Sequence, residues 1–133
     1  MAIILDADVI IRGERGLLRL NEWLMSLPNE RFHVAAITGA ELWHGVGRAT
    51  RQYRLAREQY LQAVVESVEV LPYTEQTAYQ HARIWAELES AGKMIGAYDL
   101  IVAATALENS TPLATYNKRH FVGITGLDLI EPE

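Results

Sequence analysis

Short apolar runs alternate with longer amphipathic segments along this chain, and that alternation leaves few folds open. Ala2-Ile-Ile-Leu5 is an unbroken apolar run, the pattern of a strand buried on both faces. Phe32 to Ile37, Val68 to Leu71, Pro112 to Thr115 and Leu127 to Ile130 read as further strands. Between them, Leu17, Leu18, Leu20, Trp23, Leu24 and Leu27 recur at helical spacing after a charged turn bracketed by Gly13 and Gly16, and stop at Pro28. Thr38 opens a helix to about Gly45, and a longer one from about Thr50 carries Leu55, Leu61, Val64, Val65 and Val68. Thr74 caps another, with Ala78, Ala82, Trp85 and Leu88 on one face and Gly92 as its stop. Strands separated by helices of this length predict a mainly parallel central sheet with right-handed crossovers, an α/β domain of three layers.

A length of 133 residues suits one domain, residues 1–133, able to bury about two-thirds of its unfolded surface without staples. The absence of cysteine excludes disulfides and thiolate metal sites and fits a reducing cytoplasm. The first residues carry no basic region, and Asp6 and Asp8 interrupt their apolar run, so no signal peptide is expected. No apolar stretch is long enough to span a bilayer. The net charge of −5 argues against general nucleic-acid affinity, leaving only local basic clusters to meet a phosphate backbone. Those clusters are Arg12, Arg15 and Arg19, then Arg48, Arg51, Arg54 and Arg57, then Lys118 and Arg119.

The acids are placed where apolar elements end. Asp6 closes the first strand, Glu41 lies just past the second, and Thr115 and Asn117 follow the fourth. Asp99 stands at the mouth of the most apolar helical stretch, Asp99 to Leu107, after the flexible run Gly92 to Gly96. A carboxylate there is costly to desolvate unless something compensates it. In parallel sheets ligands collect outside the carboxyl ends of the strands, the edge to which all of these residues map. Converging carboxylates can bind a hard divalent cation that keeps waters and leaves room for a phosphate oxygen.

Each acid also has a local explanation. Asp6 can cap a turn, Asp99 can complement a helix dipole, and Thr38-Gly-Ala-Glu41 has the form of a capping box. Glu41-x-x-His44 is half of a di-iron motif, which needs a four-helix bundle and conflicts with the strands. His33 and His81 read as packed or solvated side chains. Asp6-Ala-Asp8-Val9 matches the nucleophile motif of haloacid-dehalogenase-like phosphatases, but the later Gly-Asp pair is missing. A phospho-receiver domain would use Thr115 and Lys118, but its mid-chain Asp is missing too.

Four segments in order resemble one family: Leu5-Asp6-Ala7-Asp8-Val9-Ile10, Ile37-Thr38-Gly-Ala-Glu41-Leu42 with Gly45, Ile95-Gly96-Ala-Tyr-Asp99 to Ala104, and Leu113-Ala-Thr115-Tyr-Asn117 with Phe121, Gly126 and Leu127. Together they resemble the PIN-domain ribonucleases, and among these the VapC-type toxins of toxin-antitoxin modules. The resemblance implies a PIN-like α/β/α fold and a cytoplasmic, Mg²⁺- or Mn²⁺-dependent endoribonuclease acting on tRNA or rRNA. It also implies a homodimer held inactive by a VapB-type antitoxin. By motif position Asp6, Glu41 and Asp99 would hold the metal, with Thr115 and Asn117 lining the far side. Asp8 stands where the family most often has Asn, while Asn117 and His120 occupy positions that are often acidic. A binding module that does not cut RNA is the alternative that Asn117 motivates. The resemblance further implies an antitoxin groove beside Leu42, Trp43, Val46, Tyr53 and Tyr60, with Trp43 or Tyr53 as its aromatic anchor.

Overall fold

Five parallel strands form the centre of the computed structural model, which describes Met1–Glu133. They are β1 (Ala2–Leu5), β2 (Arg31–Ala35), β3 (Glu69–Leu71), β4 (Leu113–Ala114) and β5 (Leu129–Ile130), ordered β3-β2-β1-β4-β5. The register is Ile3 beside Phe32, Ile4 beside both His33 and Leu113, and Ala114 beside Ile130. The helices are α1 (Ala7–Glu14), α2 (Leu20–Met25), α3 (Ala36–Arg48), α4 (Arg51–Ser67), α5 (Glu75–Ser90), α6 (Ala97–Glu108) and α7 (Lys118–Phe121).

Strand periodicity sorts the core into two faces. Ile3, Leu5, Val34 and Ala114 face one way and pack with Val9, Ile10, Leu20 and Trp23 of α1 and α2, joined by Tyr60 and Val64 of α4. Ile4, Ala35 and Leu113 face the other way and meet Ile84, Leu88, Val102, Ala103, Ala106 and Phe121 of α5, α6 and α7. Helix α3 contributes to both, Leu42 to the first and Ile37 to the second. The expected three-layer α/β/α arrangement is present. Connections grow outward from β1 in both directions, so the sheet reverses its order between β1 and β4 and opens a crevice there.

Local structure departs from the sequence expectation in four places. Helix α1 was not expected: Asp6 caps it, its side chain accepting the Ala7 N–H at 2.9 Å, so Gly13 lies inside a helix rather than in a turn. The expected helix from Leu17 to Leu27 shortens to α2, because Gly16 holds a left-handed φ of 73° and Leu17 turns out to solvent. The capping box at Thr38 does not form. Strand β2 runs directly into α3 with Ala35 as the cap residue, which leaves Thr38 in the first turn, fully buried, with its hydroxyl unpartnered. On α5 the buried stripe is Thr77, Ile84 and Leu88, whereas Trp85 and Ala82 are exposed. Trp85 instead stacks on His81, whose Nδ1 meets the Tyr73 hydroxyl at 2.8 Å.

Gly13 shows how closely α1 approaches its neighbours. A Cβ at this position would stand 2.6 Å from the Tyr60 hydroxyl and 2.9 Å from Leu20 Cβ. That hydroxyl donates to the Ile10 carbonyl at 2.9 Å, tying α4 to α1, so it cannot retreat freely. Alanine would gain about 1 kcal/mol of helix propensity and lose roughly 1–3 kcal/mol to overpacking. Gly13→Ala is therefore expected to lower the Tm, whereas Gly47→Ala, in the last turn of α3 with nothing within 4 Å of the added Cβ, should raise it. Thermal melts of the two variants check the sign of each.

Candidate metal centre

The carboxyl ends of β1 and β4 bring Asp6 and Thr115 together. Asp6 is buried, and its Oδ2 accepts the Thr115 hydroxyl proton at 2.8 Å. The same hydroxyl accepts the Asn117 N–H at 3.0 Å and lies 3.4 Å from Asp8 Oδ2. Asp8 projects from the first turn of α1 and accepts the Tyr116 N–H at 2.9 Å, while its Oδ1 is buried with no partner. Asp8 therefore belongs to the acidic cluster, which sequence reasoning had left out. Asn117 contributes its backbone N–H and precedes α7, with no side-chain capping bond.

Glu41 and Asp99 approach from two further helices. Glu41 is partly buried on α3, two turns beyond the end of β2, and Asp99 is in the first turn of α6. Burial pushes the Asp6 carboxyl up to about 6, helped by the Asp8 charge, opposed by its bonds from Thr115 and Ala7, and raised a little further by Asp99. Burial pushes Glu41 up to about 7, with repulsion from Asp6 and then Asp99 adding to it. Asp8 is also raised, chiefly by burial. Asp99 Oδ2 meets His120 Nδ1 at 3.1 Å.

This donor set suits a hard cation. Oxygen ligands predominate, one buried carboxylate oxygen lacks any partner, and burial together with neighbouring acids raises the proton affinity of Asp6 and Glu41. No three His, Asp or Glu side chains stand close enough together here to hold a metal ion between them.

Some of the basic residues are engaged. Arg57 pairs with Glu14 at 3.0 Å, Arg54 donates to the Ala49 carbonyl at 3.2 Å, and the Arg12 guanidinium lies 4.0 Å from the centre of the Tyr116 ring. Arg48, Arg51, Lys118 and Arg119 are exposed. Between α1, α3 and α4 runs a recess of about 240 Å³ whose walls include Ile10, Glu41, Leu42, Val46, Tyr60 and Leu61. Trp43 and Tyr53 are exposed but do not line it.

Comparison with known proteins agrees with this architecture. Residues 3–125 match the PIN domain family. The chain is 29% identical over 131 residues to Ribonuclease VapC1 of Rickettsia felis, covering 98% of this chain and 96% of that one. It is 35% identical over 106 residues to the tRNA(fMet)-specific endonuclease VapC of Salmonella typhimurium, covering 77% and 76% of the two. The structure of VapBC-1 from nontypeable Haemophilus influenzae superposes with a TM-score of 0.87 at 28% identity, covering 98% of each chain. With the family match running over residues 3–125 and 35% identity to a VapC endonuclease, the chain belongs to the PIN domain family and, within it, to the VapC ribonucleases.

Proposed function

We propose that this protein is a Mg²⁺- or Mn²⁺-dependent endoribonuclease that hydrolyses RNA phosphodiester bonds, and that it is the toxin of a toxin-antitoxin pair. The observation that carries the reading is that acids from three separate elements meet at the crevice, where Asp99 raises the proton affinity of both Asp6 and Glu41, and Asp6 raises that of Glu41. Asp6, Glu41 and Asp99 would hold the cation, with Asp8 adding negative charge beside them. When bound, a divalent cation neutralises phosphodiester charge and supplies a water of lowered pKa.

The chain's own residues set the frame for that chemistry. Thr115 fixes the Asp6 carboxylate with its hydroxyl and receives the Asn117 N–H, which ties the β4 loop to the end of β1. Lys118 and Arg119, exposed beside Asn117, are placed to meet RNA phosphates, and tRNA or rRNA is the substrate class in view. The recess between α1, α3 and α4 suits an antitoxin segment: Leu42, Val46 and Tyr60, expected beside such a groove, line it, whereas Trp43 and Tyr53, the expected anchors, do not. Homodimerisation and a cytoplasmic location complete the reading.

Incubating total cellular RNA with the protein tests it. Cleavage is expected with Mg²⁺ or Mn²⁺, none with EDTA, and none with Asp99→Asn under either metal. RNA that is bound but left intact with every metal would instead favour the non-cutting module.

A further inference from the structure

The four acids are not equally anchored. Asp6 is held by the Ala7 N–H and the Thr115 hydroxyl, and Asp8 by the Tyr116 N–H. Asp99 has a fixed backbone in the first turn of α6, but its carboxylate is engaged only by His120 Nδ1, at 3.1 Å. A free carboxylate samples several torsions, and each ligand torsion frozen before binding lowers the entropic cost of capturing an ion.

His120 itself is delivered from a well-anchored turn. Its neighbour Phe121 is 1% exposed in the core beneath α6, and its own backbone N–H donates to the Asn117 carbonyl at 2.9 Å. The imidazole therefore reaches Asp99 from a backbone that cannot drift. An ionised carboxylate only accepts, so the Nδ1 nitrogen carries the proton in this contact.

We propose that His120 is a positioning residue for the metal centre: its Nδ1–H holds one oxygen of Asp99 and leaves the other free for the cation. The inference rests on the metal-site reading above. It differs from a mere surface ion pair in where its effect appears. An exposed pair of this kind adds little to folding, and the His120 side chain is 43% exposed, so its loss should leave the metal-free fold nearly unchanged. Partners that orient a metal ligand typically alter affinity by about 10–100-fold when removed.

Mn²⁺ titrations of the full chain, followed by the electron paramagnetic resonance of free Mn²⁺ and by thermal melts, test the assignment. His120→Ala should bind Mn²⁺ about 10–100-fold more weakly, with an unchanged melt in EDTA. His120→Asn places an amide N–H near the position of Nδ1 and should restore most of the affinity. His120→Gln, whose amide lies nearer the Nε2 position, should restore much less. Native affinity in His120→Ala would overturn the proposal. So would a ¹⁴N coupling on bound Mn²⁺ that disappears in that variant, since His120 would then be a direct ligand. The native chain and Asp99→Asn run alongside: failure of the native chain to bind Mn²⁺ would overturn the metal-site reading itself, an outcome distinct from either of those.

Discussion

Replacing Glu41 by Gln should abolish RNA cleavage while leaving the metal-free protein at least as stable as the native chain. The two side chains have nearly the same shape, so the α3 packing around position 41 survives. No capping role is lost, because α3 starts at Ala36 and Glu41 lies well inside it. What disappears is a partly buried negative charge whose carboxyl is already raised to about 7 by burial and by Asp6 and Asp99. Removing it relieves repulsion in the empty site and takes away a ligand from the loaded one. Outer partners of a metal cost about 10–100-fold in activity, and a direct ligand should cost at least that much. The measurement is a time course of RNA cleavage in Mn²⁺ beside melts in EDTA. Full activity in the variant would remove Glu41 from the site.

The second large effect concerns stability, pH and metal together. In EDTA the native protein should melt at a higher temperature near pH 5.5 than near pH 7.5. Asp6 and Glu41 keep protons in the folded chain up to about 6 and about 7, whereas the unfolded chain releases them near 3.8 and 4.5. Between those limits the folded state binds more protons, so stability falls as pH rises through the window and the full penalty is felt above it. For buried Asp6 alone this is on the order of 2 kcal/mol after allowance for its coupling to Asp8. Asp99→Asn should make the metal-free protein more stable near pH 7.5, by about 1 kcal/mol, because Asp99 raises both of the other acids. Saturating Mn²⁺ should raise the native Tm by mass action, about 2.7 kcal/mol at a hundred times Kd, and raise that of Asp99→Asn far less. Equal stabilisation of both proteins would reduce Asp99 to a helix-end residue.

Much of the architecture was legible because it rests on local periodicity. The run Ala2 to Leu5 is apolar over a strand's length, Val68, Val70 and Leu71 flank a single Glu69 in the next legible strand, and Thr74 and Thr50 mark helix starts that the structure keeps. Helix α1 was obscured because it is only eight residues long and Gly13 reads as a breaker, although Gly is required there by the approach of Tyr60 and Leu20. The false capping box at Thr38 arose for the opposite reason. A correct local pattern was overridden by a strand that passes into a helix with no loop between them. The bond from the Tyr116 N–H to Asp8 joins residues 108 positions apart, so no window of sequence displays it.

The place of β1 in the sheet has a consequence for how this protein comes into being. The first strand to be synthesised is the middle one, and one of its two neighbours, β4, lies more than a hundred residues downstream. Until that segment leaves the ribosome, β1 has an unpaired edge and Asp6 lacks the hydroxyl that fixes it. Such pairing closes a loop of nearly the whole chain, a slow and high-contact-order step. The crevice is thus completed only after β4 has been made, and a growing chain short of that point carries its acids scattered rather than gathered.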